Sequence, residues 1–413
     1  MKLSAPENEA YAATIVSFDT DFPLENADNL VGARFFGYTA AIPKSYVHDL
    51  YVMFPAEAQL SHEYCHENNL YRHGHLNKDE GKSGYIEDNR RIRAIKLRGN
   101  TSNCIIMPLE SLAYTGVDVR EFKAGDTFDK LNGHDICQKY VVKTKEPRAK
   151  TQVAKVSRVD DRLLPKHFKT PQYWRHESEF NGKLVTVTQK LHGTSVRIAH
   201  IPVAKKLTWI ERLAKKFGAK IKDQEYDYVF GTRNVIKDPN NPSQNSFYEN
   251  DIHTQVGQRV KDALPKNYII YGEIIGWENK QKPIQPHYTY NLKPGNQELY
   301  VYRVAVINPD GVMVDLSWDA MREFCKEKGL NIVPLLWRGW SRELDVDQFM
   351  NRNYYVDGFK NAIPLSNHKT KDEGVCVRYE DQIPVIAKAK CSEFLEIETR
   401  VLDQGIADIE EES

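Results

Sequence analysis

The sequence predicts an α+β fold in two parts: a small N-terminal β-barrel (OB-like) domain, then a larger domain of antiparallel sheets with flanking helices. Three observations predict it. Short apolar runs broken by turn residues crowd the chain before residue 150, strands and helices mix after it, and a basic, proline-interrupted segment lies between. The expected division is 1–150 and 151–413.

In the first part, strands are expected at 92–97, 103–108 and 136–142, separated by Lys123-Ala124-Gly125-Asp126 and Leu131-Asn132-Gly133. Several short strands at this spacing suggest a small barrel. An OB-like barrel is one candidate among small β folds, and the fold of residues 1–90 stays open. The boundary is read at Glu146-Pro147-Arg148-Ala149-Lys150 and again over 160–165. From Lys139 to Lys169, ten basic residues stand against three acidic ones. Such a run is either a solvated linker or a surface that tracks phosphates.

In the second part, strands are expected at 184–191, 268–277, 299–307, 312–316, 374–379 and 384–390, with a turn at Asn308-Pro309-Asp310-Gly311. Helices are expected at 208–217, 317–328 and 392–402. The first has a Thr208/Glu211 capping box, an apolar stripe of Trp209, Ile210, Leu213 and Phe217, and Gly218 as its stop.

Over 413 residues, 57 basic side chains balance 57 acidic ones, with 41% hydrophobic and 28% charged residues. That composition is globular and excludes collagen, coiled coil and disordered tail proteins. No run of eighteen apolar residues occurs, so no spanning helix and no membrane partner are expected. The start, MKLSAPENEAYAA, lacks a basic-then-apolar leader. Six cysteines without disulfide spacing fit a reducing, cytoplasmic setting, and a monomer is expected. His62, Cys65, His66, His73 and His75 lie close together, with His62 and His66 at i, i+4, and could hold Zn²⁺. No paired CxxC accompanies them, which favours surface histidines.

Chemistry enters at Gln189-Lys190-Leu191-His192-Gly193-Thr194-Ser195. A lysine ending a β-rich run is held on rigid backbone, and desolvation or a nearby cation makes it a nucleophile. Gly193 lets backbone approach a phosphate, and Thr194 and Ser195 add hydroxyls. Alone, such a turn is more often an ordinary surface turn. Further motifs follow: Phe230-Gly231-Thr232-Arg233-Asn234, Tyr271-Gly272-Glu273-Ile274-Ile275-Gly276, Leu299-Tyr300-Val301-Tyr302-Arg303, Asp372-Glu373-Gly374-Val375-Cys376-Val377 and Ile386-Ala387-Lys388-Ala389-Lys390.

In this order the six resemble motifs I, Ia, III, IIIa, IV and V of the covalent nucleotidyltransferases, the superfamily of nucleic-acid ligases and mRNA capping enzymes. The resemblance runs from about Lys166 to Glu398. It implies a nucleotidyltransferase (ATP-grasp-like ligase) domain that moves AMP from ATP to Lys190 and then to a 5′-phosphate. By the same resemblance, Gln189 and Leu191 offer main-chain groups to adenine, while Arg233 and Glu273 hold the ribose. Tyr302 stacks on the purine, with Tyr300 as a substitute because Arg303 stands where the family usually carries an acidic residue. Glu373 holds Mg²⁺ (or Mn²⁺), a cation that prefers oxygen ligands. Lys388 and Lys390, two apart on a strand, share a side and neutralise the α-phosphate.

Histidine at position 192, where many ligases carry aspartate, resembles the RNA ligase 2 group. Only 23 residues follow Lys390, too few for a C-terminal OB domain, and residues 95–109 resemble the N-terminal OB module of a nick-sealing branch. The expectation is an ATP-dependent RNA ligase that seals nicks in duplex RNA or RNA–DNA hybrids. The competing expectations are an ATP-dependent DNA ligase, a GTP-dependent capping enzyme, and a non-catalytic RNA-binding protein on a ligase fold.

Overall fold

Period-two burial organises the N-terminal part of the chain. Strands Ala13–Ser17, Leu50–Pro55, Cys104–Pro108 and Thr127–Phe128 form one antiparallel sheet in the order Cys104–Pro108, Leu50–Pro55, Ala13–Ser17, Thr127–Phe128. Successive residues on a strand point to opposite faces. Accordingly Ala13, Ile15, Val52 and Phe54 join one apolar cluster, while Val16, Tyr51 and Met53 join another. The second cluster is completed by Val31, Ala33, Tyr38, Ala40 and Ile42, from the sheet of Phe22–Pro23, Leu30–Phe35 and Tyr38–Pro43. A sheet that is apolar on both faces needs cover on both. This is the physical reason the traced pairings here are layered open sheets. Among the described residues no closed barrel is formed, which departs from the expected barrel.

The computed structural model describes residues 2–19, 21–46, 49–142, 158–237 and 250–405; the 146–150 boundary and much of the basic run lie outside the described residues. The chain divides into two compact units. The first takes the N-terminal chain together with Pro171–Glu177 and the stretch beginning at Ala389. Within it, helix Ser392–Asp403 buries Phe394, Leu395, Thr399 and Leu402. A buried ionic knot holds the helix. Arg91 Nε and Nη2 reach Glu57 at 2.6 and 2.8 Å, Arg91 Nη1 reaches Asp403 at 2.9 Å, and Thr399 Oγ1 donates to Glu57 Oε1 at 2.5 Å.

The second unit contains Ser178–Lys388. Its larger sheet runs in the order Gln224–Gly231, Thr194–Ala204, Tyr268–Gly276, Gln297–Ile307, Met313–Asp315, with Asn331–Ile332 parallel to Gln297–Ile307. Its smaller sheet runs Leu335–Trp340, Leu184–Lys190, Gly374–Tyr379, Val385–Lys390. Helix Trp318–Lys328 is capped by Ser317 and closed by left-handed Gly329, and Ile252–Val260 is capped by Asp251. The expected strands and helices of this part all form, with ends within two residues.

The sequence reading missed Thr194–Ala204, Gln224–Gly231, Ile252–Val260 and Leu335–Trp340. Pro202 argues against a strand, since it cannot donate to a ladder. It is tolerated because pairing to Tyr268–Gly276 stops at Ala199, so one side is already open there. Helix Trp209–Lys216 forms with its capping box, but its apolar stripe faces solvent.

Candidate active site

The two sheets of the second unit meet their chemistry at Lys190, the last residue of its strand. Opposite it on the neighbouring strand is Gly374, so Glu373 enters beside the lysine. Lys190 Nζ lies 2.7 Å from Glu373 Oε1, and the glutamate side chain has no solvent exposure. His192 Nδ1 is 3.5 Å from the other carboxylate oxygen.

The turn after Lys190 is fixed by its contacts. Gly193 N donates to Glu273 Oε1 at 3.0 Å, and Ser195 Oγ donates to Glu273 Oε2 at 3.2 Å. Gln285 Nε2 donates to Gly193 O at 2.8 Å, and His192 N donates to Tyr290 Oη at 2.6 Å. A Cβ at residue 193 would sit 2.1 Å from Ile274 O, so only glycine fits there. Unbroken antiparallel register between Thr194–Ala204 and Tyr268–Gly276 sets Glu273 opposite Ser195, while on the other side the pairing to Gln297–Ile307 skips Tyr302 in a bulge.

Gln189 lines the same wall as Lys190 and is held from both its backbone and its side chain. Its N–H is already donated to Pro334 O at 2.9 Å. Its side chain clamps the loops below, with Nε2 donating to Asp372 Oδ1 at 2.7 Å and Oε1 accepting from Ile363 N at 2.8 Å. Burial raises the Asp372 carboxyl to about 6, against the bonds from Tyr354 N and Gln189 that pull it down.

Around the lysine opens a cavity that is partly open to solvent. Lys190, Leu191, Gln189, Arg233, Glu273, Tyr302 and Lys388 line it, as do His167, Thr170, Ser195, Trp318, Cys376, Arg378 and Ile386. Seven of the nine residues named from sequence therefore share one cavity wall. Glu373 reaches the site through Lys190, while Lys390 belongs to the first unit, where its ammonium bonds Glu398 at 3.0 Å.

Of the two tyrosines, Tyr302 lines the cavity. Tyr300 instead donates its hydroxyl to Glu298 at 2.7 Å. Arg303 is a buried pillar, bidentate to Asp315 at 2.5 and 3.0 Å and stacked over Phe168 and Tyr271. The basic residue that broke the motif thus has a packing role.

His167 had no sequence signal. It contacts Tyr302 edge-on with ring centroids 5.0 Å apart, and its Nδ1 is buried without a hydrogen-bond partner. Burial, and then Arg303, Arg233 and Arg378, hold it neutral by lowering its pKa far below the usual value. A ring wall, a neutral imidazole and an arginine suit a planar base with an anionic tail.

Outside this cavity, the histidine group falls into two ring pairs, His62 with His66 at 5.8 Å and His73 with His75 at 6.1 Å between centroids. His62 bonds Tyr71 Oη, His66 bonds Leu76 O, and His73 bonds Asp88, while Cys65 is buried with its thiol pushed up to about 12. Among the described residues no group of three such side chains is placed to hold a metal ion.

A family model described as RNA ligase matches residues 183–390, just over half of the chain. No curated protein matches it in sequence. Among solved structures, an RNA ligase of Naegleria gruberi with PPi is similar at a TM-score of 0.58 and 18% identity, covering 94% of this chain and 98% of that one. Mutant forms of the Naegleria ligase solved with ATP and Mn and with AMP and Mn give TM-scores of 0.58 and 0.57, at 18% and 17% identity. Each covers 93% of this chain and 98% of its own. At that identity the likeness is one of fold.

Proposed function

The chain belongs to the RNA ligase family, and we propose that it is an ATP-dependent ligase joining RNA 3′-hydroxyl and 5′-phosphate ends at nicks in duplex RNA or RNA–DNA hybrids. The observation that carries this reading is that Lys190 lines one cavity together with Arg233, Glu273, Tyr302 and Lys388.

In the first step the Lys190 ammonium gives a proton to solvent, and the neutral amine attacks the α-phosphorus of ATP. An N–P bond forms, the bond to pyrophosphate breaks, and pyrophosphate leaves. An oxygen of the RNA 5′-phosphate then takes the adenylyl group, which breaks the N–P bond and restores the lysine. Finally the 3′-hydroxyl gives up its proton, attacks that 5′-phosphorus, and AMP departs.

Each side chain has work in this sequence. Glu273 freezes the turn so that Lys190 meets the phosphorus in line. Tyr302 and His167 form the wall against which the base lies. Lys388 offers positive charge to the phosphate as its negative charge develops, a role Lys390 shares by resemblance. Arg233 holds the ribose and serves the RNA end. The donor set fits a divalent cation, because Glu373 is a buried carboxylate whose partner is itself a cation, and Mg²⁺ takes one or two carboxylates beside phosphates and waters. Glu373 would hold Mg²⁺ or Mn²⁺, which would supply positive charge to neutralise the phosphates. The N-terminal unit, in the place of the OB module of nick-sealing relatives, grips duplex by shape and backbone contacts.

The test has two arms. Incubation with labelled ATP, or GTP, and Mg²⁺ should leave label on the denatured protein with ATP alone; label from GTP only would favour the capping alternative. Single-turnover sealing of nicked duplexes should be fast with RNA at the 3′-hydroxyl side and slow with DNA there. Equal rates would favour a DNA ligase.

A further inference from the structure

The hairpin of Thr194–Ala204 and Gln224–Gly231 has one end at the active site, where Ser195 and Arg233 line the cavity. Its other end closes at Ala204 opposite Gln224. At about 3.3 Å per residue, the nine steps from Ser195 to Ala204 carry that end about 30 Å along the strand. Helix Trp209–Lys216 is mounted there.

The helix is built to stand alone. Thr208 Oγ1 and the Glu211 carboxylate form a reciprocal capping box, and Lys205 bonds Glu211 at 2.6 Å. Trp209, Ile210, Leu213 and Phe217 occupy one side of it, yet they are 70%, 59%, 47% and 82% exposed. At 100° per residue they fall within an arc of about 100°. Arg212, Lys215 and Lys216 fall on the arc beside and opposite it. From Lys205 to Asp223 there are seven basic side chains and two acidic ones, in a chain whose total charge is zero. Both acidic groups are already paired, Glu211 with Lys205 and Asp223 with Lys215.

A convex apolar stripe backed by lysines fits a sheet of anionic headgroups better than it fits RNA. Phosphates give aliphatic Ile210 and Leu213 nothing to bury against, whereas Arg212 and Lys216 at the edge of the stripe sit where headgroups meet a buried apolar face. A helix with Trp, Leu and Phe on one face and Lys or Arg on the other lies in the plane of a lipid interface. No helix among the described residues is long and apolar enough to cross a membrane, so the contact is with one surface. We propose that the 205–223 hairpin tip docks the protein on anionic phospholipid, with Trp209, Ile210, Leu213 and Phe217 entering the interface and the lysines meeting the headgroups. The expectation of no membrane partner considered only spanning segments.

The experiment is co-sedimentation of the full chain with phosphatidylcholine vesicles, with and without phosphatidylserine. Binding should need phosphatidylserine and weaken with salt. Trp209→Ser with Phe217→Ser should cut the bound fraction constant by about tenfold or more, and Lys215→Glu with Lys216→Glu should do likewise. All variants should keep wild-type labelling by ATP, since none of these residues lines the cavity. Vesicle binding is read without any labelling, so it stands or falls apart from the ligase reading. Failure of the wild-type chain to sediment with anionic vesicles overturns the proposal, as does binding unchanged by the Trp209/Phe217 pair. Loss of RNA affinity in that pair, with no vesicle binding in the wild type, would assign the tip to RNA instead.

Discussion

Replacing Lys190 by Met should remove the nucleophile and also weaken the fold. The 2.7 Å pair with Glu373 is buried on the carboxylate side, with 14% of the lysine side chain exposed. At an effective dielectric of about 20, two unit charges at that distance attract by about 6 kcal/mol, much of it offset by desolvation. Removing one partner of such a pair typically costs about 3–5 kcal/mol, because the other is left buried and uncompensated. Lys190 is itself partly exposed, so the low end, about 3 kcal/mol, is expected. For a unit of this size that is a fall in Tm of about 6–12 °C. Glu373→Gln should cost less, since the lysine can turn to solvent. The double variant should be more stable than the two single losses predict, by about 2 kcal/mol. The assays are denaturant melts of the four proteins and gel retention of label from ATP. Additivity within about 0.5 kcal/mol would refute the coupling, and full labelling of Lys190→Met would refute the nucleophile.

Glu273→Ala takes the acceptor from Gly193 N and Ser195 Oγ; losing about 1.5–3 kcal/mol of charged hydrogen bonding should slow adenylylation about tenfold to a hundredfold, read by rapid-quench labelling. Gly193→Ala should abolish labelling while circular dichroism stays unchanged, because the methyl meets a backbone carbonyl. Arg91→Ala should cost about 3–5 kcal/mol in a urea melt by stranding buried Glu57, while Asp403 keeps Arg93. For Asp372, the folded carboxyl holds its proton to about 6 while the unfolded one loses it near 3.8. Stability from this group is therefore lost as pH rises between these values, by on the order of 2–3 kcal/mol. The stability of Asp372→Asn relative to wild type should rise over the same window, and a flat difference would show that the carboxyl is not held this way.

What could be read without coordinates followed from strong local signals. The six motifs carry residue types whose chemistry constrains them, and Lys190, Glu273 and Arg233 were reached that way. Caps at Ser317 and Thr208 likewise mark their helices by local hydrogen bonding. Legibility failed where tertiary context decides. His167 is an ordinary residue in an unpatterned stretch until folding sets it against Tyr302. The side-chain bonds of Gln189 to Asp372 and Ile363 join residues more than 170 positions apart, which no local pattern announces. The alternating strands of the N-terminal unit do not announce that both of their faces are covered, and a barrel was the simpler expectation.

The border between the two units falls between Lys388 and Ala389, inside the strand Val385–Lys390. One consequence concerns synthesis. Domains usually fold in order as they leave the ribosome, yet here the first unit lacks Phe394, Leu395 and the Thr399 and Asp403 partners of its buried Arg91–Glu57 pair until almost all of the chain has emerged. Until then that pair waits half-solvated at the edge of an unfinished core. A nascent chain that stops before Val385 therefore holds Lys190 in a sheet that lacks its last strand.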